Sequence, residues 1–248
     1  MASAGEWRGL RLHNKDLRRT SQSFHQETAI VSIENTPAPV HAELFELIRF
    51  TLRVRSTQLA LPKLKVALAD ALEGVTLSGC WVSEIGPQNT IAVLRSFASS
   101  EVREAERTRV LMAADGFGIG EYILQQQIDD YRLFPFLKPL AAGAHGPFYE
   151  LREYNLIPSG LSPTLEGWHK AVGPRTTGDY SQVYAAFYAT SGRVPRYLHI
   201  WPYTSLEQRL DVRTRAVRDG VWPPENSGPQ LQEMNSVVYL PSSFSPLS

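Results

Sequence analysis

The sequence predicts an α+β fold: two tandem ferredoxin-like repeats, each β-α-β-β-α-β, that pack sheet to sheet as a pseudo-dimeric α+β barrel. The first observation is an internal repeat, because FELIRFTL at Phe45–Leu52 is answered by YELREYNL at Tyr149–Leu156. The second is a longer match between Trp81–Arg109 and Phe187–Arg215. A solenoid stacks many copies of a shorter repeat, whereas this chain has two copies about 105 residues apart. They indicate a duplicated small domain.

The second copy shows the order of elements most clearly. Tyr149–Leu156 alternates in polarity and predicts a strand, and Leu161–Val172 carries apolar residues at helical spacing. Ala185–Thr190 and Tyr197–Tyr203 predict a hairpin, which a charged helix follows. Ser236–Leu240 predicts the last strand.

The first copy repeats this order, with its first strand at Phe45–Val54, a charged helix at Glu101–Ala114 and its last strand at Tyr131–Phe134. Both copies close on a Pro-Leu pair, Pro139-Leu140 and Pro246-Leu247. The predicted organisation is an N-terminal arm over residues 1–40, a first repeat over 41–140 and a second over 141–248. Since helices on one face of a sheet leave the other face uncovered, the two sheets are expected to face each other and enclose a pocket.

Composition excludes several classes of function. Lys plus Arg equals Asp plus Glu at 25 each, which leaves no net field to attract nucleic acid. No apolar run approaches the ~20 residues that span a bilayer. The histidines and the single Cys80 lack zinc-site spacing, and the glycine-rich Gly116–Tyr122 lacks the preceding strand of a dinucleotide site. We therefore expect no metal, no cofactor, no nucleic-acid partner and no membrane insertion, while a homo-oligomer stays open.

The N-terminal arm bears on localisation. It is rich in Arg and Ser, but Glu6 and Asp16 dilute its charge and it lacks the apolar core of a secretory signal. The expectation is a cytoplasmic protein, with the mitochondrial matrix as the alternative.

The strand Tyr197–Tyr203 offers the best candidate site. A period of two places its aliphatic residues, Leu198 and Ile200, on one face. The other face carries Tyr197, His199, Trp201 and Tyr203. The aliphatic face suits packing beneath the helices, so the aromatic face is expected to line the cavity with His199 as acid or base. The alternative is that the rings only fill the barrel centre and His199 bonds a neighbour.

Charged residues complete the predicted site. Arg95 lies on an otherwise apolar strand, so it should pair with a carboxylate of the protein or of a ligand. Glu46 and Glu150 occupy equal positions on the first strands; Glu150 can pair with Arg152 in a structural role or face His199 as an acid–base couple. The candidate catalytic residue is His199. The candidate ligand-binding residues are Tyr197, Trp201, Tyr203, Arg95, Glu46, Glu150, Arg152, Tyr154, Trp81 and Tyr188.

The motifs YELREYNLIPSGL at 149–161 and LHIWPYTSLEQRLDVR at 198–213 resemble the NIPSNAP family. The likeness runs from Ala42 to Leu247; the first copy lacks the His and Trp of the second motif but keeps a Ser-Glu-Ile-Gly turn at Ser83–Gly86. The resemblance implies the dimeric α+β barrel fold. Animal members of this family are associated with the mitochondrial matrix and with recruitment of autophagy partners.

Two functions are compatible with this resemblance. The first is binding of a small organic ligand in the cavity between the repeats, with acid–base chemistry at His199. The second is a non-enzymatic interaction or scaffold protein. The wider barrel superfamily includes cofactor-free monooxygenases, haem enzymes and lactone isomerases, but a shared fold transfers none of these reactions.

Overall fold

The computed structural model describes residues 44–248, so the predicted arm and the first residues of the predicted first repeat lie outside the described part. The elements follow the predicted order in both repeats. The first repeat contains β1 (Leu44–Leu52), α1 (Thr57–Ala69), β2 (Val75–Ile85), β3 (Thr90–Phe97), α2 (Ser100–Met112) and β4 (Ile123–Leu133). The second contains β5 (Phe148–Leu156), α3 (Leu161–Thr176), β6 (Ala185–Ala189), β7 (Arg196–Tyr203), α4 (Leu206–Arg218) and β8 (Leu231–Pro241).

The strands form a closed antiparallel barrel in the order β1-β3-β2-β8-β5-β7-β6-β4. Within each repeat the strands keep the ferredoxin-like order, β4-β1-β3-β2 and β8-β5-β7-β6. The repeats are joined by antiparallel pairing of β2 with β8 and of β4 with β6. The predicted fold class is confirmed.

The charged helices α2 and α4 begin in the same way. Ser99 and Ser205 are the N-caps, and their hydroxyls accept from the backbone N–H of Val102 and of Gln208. These bonds satisfy N–H groups that have no partner inside the helix. The caps fix where each helix starts on the outer face of its sheet.

Alternate residues of each strand face the barrel interior and the helix-covered outer side of the sheet. The barrel interior is filled by an apolar cluster that includes Leu47, Trp81, Leu151 and Leu198. Helices α1 and α2 cover a second cluster on the outer face of the first repeat, and α3 covers a third on the outer face of the second repeat.

One end of the barrel is closed by the two Pro-Leu segments. Leu247 is 1% exposed and belongs to the interior cluster, and Leu140 packs against that cluster. The carbonyl of Ser248 accepts from the backbone N–H groups of His145 at 2.6 Å and Gly146 at 3.2 Å. This closure leaves the opposite end as the mouth of the barrel.

Candidate functional site

His199 lies on the outer face of β7 beneath α3, and the prediction that its ring points into the barrel is wrong. Its strand neighbours Leu198 and Ile200 belong to the interior cluster instead. The His199 ring packs edge to face against Trp168 of α3, with ring centroids 4.9 Å apart. Trp201 Nε1 donates a hydrogen bond to His199 Nδ1 at 2.6 Å.

The rings of His199 and Trp201 pack against Trp168 of α3. The space between the second sheet and its helices is filled by large rings such as Trp168, Tyr197 and Trp201. The barrel interior holds large rings as well, including Trp81, Tyr149 and Phe187, so ring size alone does not set the orientation of β7. The alternation along β7 was predicted correctly, but alternation alone does not decide which face points inward.

His199 is neutral at physiological pH. Burial lowers its pKa well below the ordinary value, and the charges of Arg152, Arg213 and Arg175 lower it further. Because Nδ1 accepts the Trp201 hydrogen bond, the ring proton is assigned to Nε2. Nε2 finds no hydrogen-bond partner within the described part of the chain. This imidazole therefore cannot exchange a proton with a ligand in the barrel.

Among the predicted ligand-binding residues, Trp81 lies in the barrel interior, where its ring centroid is 5.6 Å from that of Tyr149. The aromatic residues Tyr154, Tyr188, Tyr197, Trp201 and Tyr203 lie in the helix-covered cluster of the second repeat. The charged residues Arg95, Glu46, Glu150 and Arg152 form ion pairs on the outer faces of the sheets. The expected placement of both groups in the cavity is wrong, and a role for any of them in ligand binding stays a prediction.

The predicted partners of these charges are confirmed. Arg95 is 1% exposed, and its guanidinium donates to Glu46 at 2.6 Å and to Glu106 at 2.6 Å. Glu150 Oε1 lies 3.8 Å from Arg152 Nε, the structural pairing expected along that face. The carboxylates that satisfy Arg95 belong to the protein, so Arg95 holds the first sheet to α2.

A different charged cluster lies inside the barrel near its mouth. Arg49 follows Leu47 by two residues on β1, and Glu153 follows Leu151 by two residues on β5. Residues two apart share a face of a strand, so Arg49 and Glu153 point inward with these leucines. Arg49 Nη2 donates to Glu153 Oε2 at 2.5 Å. Sequence reasoning missed this pair.

Two further charges and a hydroxyl complete this cluster. Asp129 of β4 lies 3.4 Å from Arg49 and 3.0 Å from Arg196 of β7. Tyr131 Oη donates to Glu153 at 2.7 Å. The cluster of Arg49, Asp129, Glu153 and Arg196, hereafter the mouth cluster, contains equal numbers of guanidinium and carboxylate groups drawn from both repeats.

A pocket of about 330 Å³ opens beside the mouth cluster. Its polar lining includes Arg49, Thr51, Gln125, Gln127, Glu153 and Asn235. The volume is at the small end of the range for ligand pockets, about 300–1,000 Å³. Side chains of Arg49 and Glu153 are 20% and 18% exposed, so a molecule in the pocket can reach both charges.

Electrostatics keep Arg49 and Glu153 charged. Burial alone would raise the pKa of Glu153, but Arg49 and Arg196 outweigh burial and lower it. Burial raises the pKa of Tyr131 far above its ordinary value, and the Glu153 charge adds to this. At neutral pH the pocket therefore presents the carboxylate of Glu153 and the guanidinium of Arg49, while the buried Tyr131 phenol stays protonated beside Glu153.

A signal for this pair was present in the repeat alignment. Arg49 and Glu153 fall at the same position of FELIRFTL and YELREYNL and carry opposite charges. They also lie on the same strand faces as the inward-pointing Leu47 and Leu151. Opposite charges at equivalent positions of two facing sheets are the pattern expected of a pair across the interface.

The described residues contain no group of three or more His, Cys, Asp or Glu arranged to hold a metal ion. None of the helices within residues 44–248 has the length and apolarity required to cross a bilayer. Cys80 is buried, and burial raises its pKa to about 12, so its thiol stays protonated.

Comparison with known proteins extends the repeat analysis. The chain is 30% identical to Drosophila melanogaster protein NipSnap over 46% of this chain and 41% of that protein. It is 24% identical to a Dictyostelium discoideum NipSnap homolog over 68% of this chain and 76% of the homolog. The chain spans about two fifths of the length of the animal relatives it matches.

The fold has solved counterparts as well. An anthrone oxidase-like protein superposes with a TM-score of 0.60 at 12% identity, covering 84% of this chain and 94% of that one. This likeness concerns the barrel fold alone. The NIPSNAP family model matches residues 45–133 and 149–246, one segment in each repeat. The chain therefore belongs to the NIPSNAP family and carries two of its domains in tandem.

Proposed function

We propose that the barrel binds a small polar organic molecule in the pocket at its mouth. The observation that carries this proposal is the mouth cluster, whose Arg49–Glu153 pair is reachable from the pocket. A cation and an anion side by side, with the amides of Gln125 and Gln127 nearby, favour a ligand with both a carboxylate and a hydrogen-bond donor. Small zwitterions and hydroxy acids have this chemistry.

Both repeats are needed for this pocket. Arg49, Thr51 and Gln125 come from the first repeat, and Glu153 and Asn235 come from the second. The opposite end of the barrel is closed by Leu140 and Leu247, so the ligand enters from one side.

The same electrostatics favour binding over proton transfer. A general base works best with a pKa near the operating pH, whereas the pKa of Glu153 is lowered and that of Tyr131 is raised. His199 lies on the other face of the sheet. The pocket is therefore proposed to recognise charge, with no acid–base role for His199.

The test is a thermal-shift screen of amino acids, hydroxy acids and related small zwitterions. A ligand at 100 times its Kd should stabilise the protein by about 2.7 kcal/mol. Arg49→Met and the pocket-filling change Thr51→Trp should each abolish the rise in melting temperature. Matched controls are Lys63→Met, which breaks an exposed ion pair elsewhere, and His199→Gln, which alters the outer face.

Two results would contradict the proposal. One is a screen without any stabilising compound; the other is a ligand-induced rise that survives both Arg49→Met and Thr51→Trp. Either would favour the alternative of an interaction or scaffold protein. Cytoplasmic localisation stays a prediction from the sequence, and a homo-oligomer stays open.

A further inference from the structure

Three arginines of the second repeat converge on one buried carboxylate. Arg209 of α4 donates to the two oxygens of Glu150 at 3.0 and 2.6 Å. Arg152 of β5 and Arg213 of α4 lie 3.8 and 3.7 Å from Glu150 Oε1. These two contacts are ion pairs but are too long for hydrogen bonds. Glu150 therefore leaves donors of Arg152 and Arg213 available to a second anion.

The equivalent cluster of the first repeat carries more acids. There the arginines Arg95, Arg103 and Arg107 pair with Glu46, Glu106 and Asp130. In the repeat alignment and the strand register, Glu106 and Asp130 correspond to Val212 and Val238. The second repeat therefore lacks two of the acids that balance the arginines of the first.

Two of the three arginines are present in the second repeat as well, while Arg95 corresponds to Trp201. Arg209 and Arg213 correspond to Arg103 and Arg107, and Arg152 stands where the first repeat has Ile48. Three guanidinium charges around one carboxylate leave two positive charges without a counter-charge in this cluster. Burial lowers the pKa of Arg213 and the charge of Arg152 lowers it further, as expected of unbalanced like charges.

The cluster is open to solvent on one side. The side chains of Arg152, Arg209 and Arg213 are 13%, 23% and 37% exposed. Arg152 Nε is buried and has no hydrogen-bond partner within residues 44–248. A small anion can therefore approach Arg213 and reach the donors behind it.

We infer that Arg152, Arg209 and Arg213 form a binding site for a dianionic phosphate group. The two charges of a phosphomonoester equal the excess of the cluster, and its three terminal oxygens accept several charge-assisted hydrogen bonds at once. Guanidinium groups suit this geometry because their N–H donors lie in one plane as a fork. The site is separate from the mouth pocket, because Arg152 and Glu153 point to opposite faces of β5.

The experiment is calorimetric titration of the intact protein with inorganic phosphate and with phenyl phosphate, in a low-chloride buffer. Arg213→Gln, at the most exposed of the three arginines, should weaken phosphate binding by about tenfold or more. The matched control is Arg218→Gln, which removes the same charge from the same helix at a side chain 68% exposed. The control should bind phosphate within about twofold of the unmodified chain.

Two further arms establish where the phosphate binds and which molecule carries it. Arg49→Met should leave phosphate binding intact, which distinguishes the site from the mouth pocket. Sedimentation with phosphatidic acid vesicles, against phosphatidylcholine vesicles, shows whether the phosphate belongs to a lipid headgroup. Arg213-dependent binding of either soluble phosphate or phosphatidic acid supports the inference and identifies the source. Absence of both, or equal losses in Arg213→Gln and Arg218→Gln, overturns it.

Discussion

Arg49 and Glu153 occupy the same position in the two repeats, carry opposite charges and form an ion pair across the barrel at 2.5 Å. In a barrel of two identical subunits, a residue facing the two-fold axis meets its own copy. Arginine against arginine, or glutamate against glutamate, would place like charges together at this point. The pair therefore depends on two unlike halves, which the tandem chain supplies.

This pairing predicts strong energetic coupling between the two residues. Arg49→Met and Glu153→Gln should each lower the free energy of unfolding by about 2–3 kcal/mol, somewhat below the cost of breaking a fully buried pair, because both side chains are partly exposed. The double variant should lose less than the sum of the two. Urea denaturation measures all three. Additive losses within about 0.5 kcal/mol would show that the pair is not coupled.

Burial of neutral His199 predicts a pH dependence of stability in a defined window. Its folded pKa lies below the ordinary value of about 6.5, so the unfolded chain takes up the proton first as pH falls. The contribution of neutral His199 to the free energy of unfolding is complete above about pH 6.5. Below that pH the free energy of unfolding falls by up to ~1.4 kcal/mol per pH unit. His199→Gln, which keeps an acceptor for Trp201, should flatten the curve between about pH 7 and 5.

The same curve checks the placement of His199. Urea midpoints collected at half-unit steps suffice for the comparison. Parallel pH profiles for the unmodified chain and His199→Gln would mean that the imidazole titrates normally and is not buried as a neutral ring.

The lowered pKa of Glu153 predicts a second pH range, at lower pH, in which the stability of the protein changes. Its folded pKa is lowered, so its contribution is present above the unfolded value of about 4.3 and is lost as pH falls toward the folded value. The stability gap between the unmodified chain and Glu153→Gln should therefore narrow from about pH 4.3 downward. A gap that stays constant down to about pH 3 would contradict an ionised Glu153 in the mouth cluster.

The closed end of the barrel predicts a cost for shortening its plug. Leu247 is 1% exposed within the interior cluster, so Leu247→Ala should cost about 2–4 kcal/mol through lost burial and the cavity left behind. Leu210→Ala is the matched control, because Leu210 is 65% exposed on α4 and should change stability by under ~0.5 kcal/mol. Equal effects in the two variants would show that Leu247 does not plug the barrel.

The fold was predictable because many residues in both copies follow the same pattern of strands and helices. The spacing of Tyr149–Leu156, Leu161–Val172 and the later hairpin defines the ferredoxin-like order, and duplication then requires two facing sheets. Arg95 was also predicted well, because a buried guanidinium needs a carboxylate wherever it lies.

The orientation of β7 could not be predicted from its own residues. Alternation separates Leu198 and Ile200 from His199 and Trp201, but both faces of a covered sheet are apolar. The orientation depends on the packing partners of each face, and the partner of His199 and Trp201 is Trp168 of α3, which the residues of β7 do not reveal. Arg49 and Glu153 went unpredicted for a related reason: each looks like an ordinary surface charge until the two strands are superposed.

The ring of strands has one more consequence. Because β2 pairs with β8 and β4 pairs with β6, every strand within residues 44–248 has a neighbour on each side. Unpaired backbone at a sheet edge is the usual template for adding a strand from another polypeptide. The junctions between the repeats are short, because β8 pairs with β2 only from Val238 and β4 pairs with β6 only from Tyr131. Residues 123–129 of β4 and 231–237 of β8 therefore each pair with a strand on one side alone. A partner can therefore add a strand to this barrel at either of these two stretches, where one side of the backbone has no neighbouring strand.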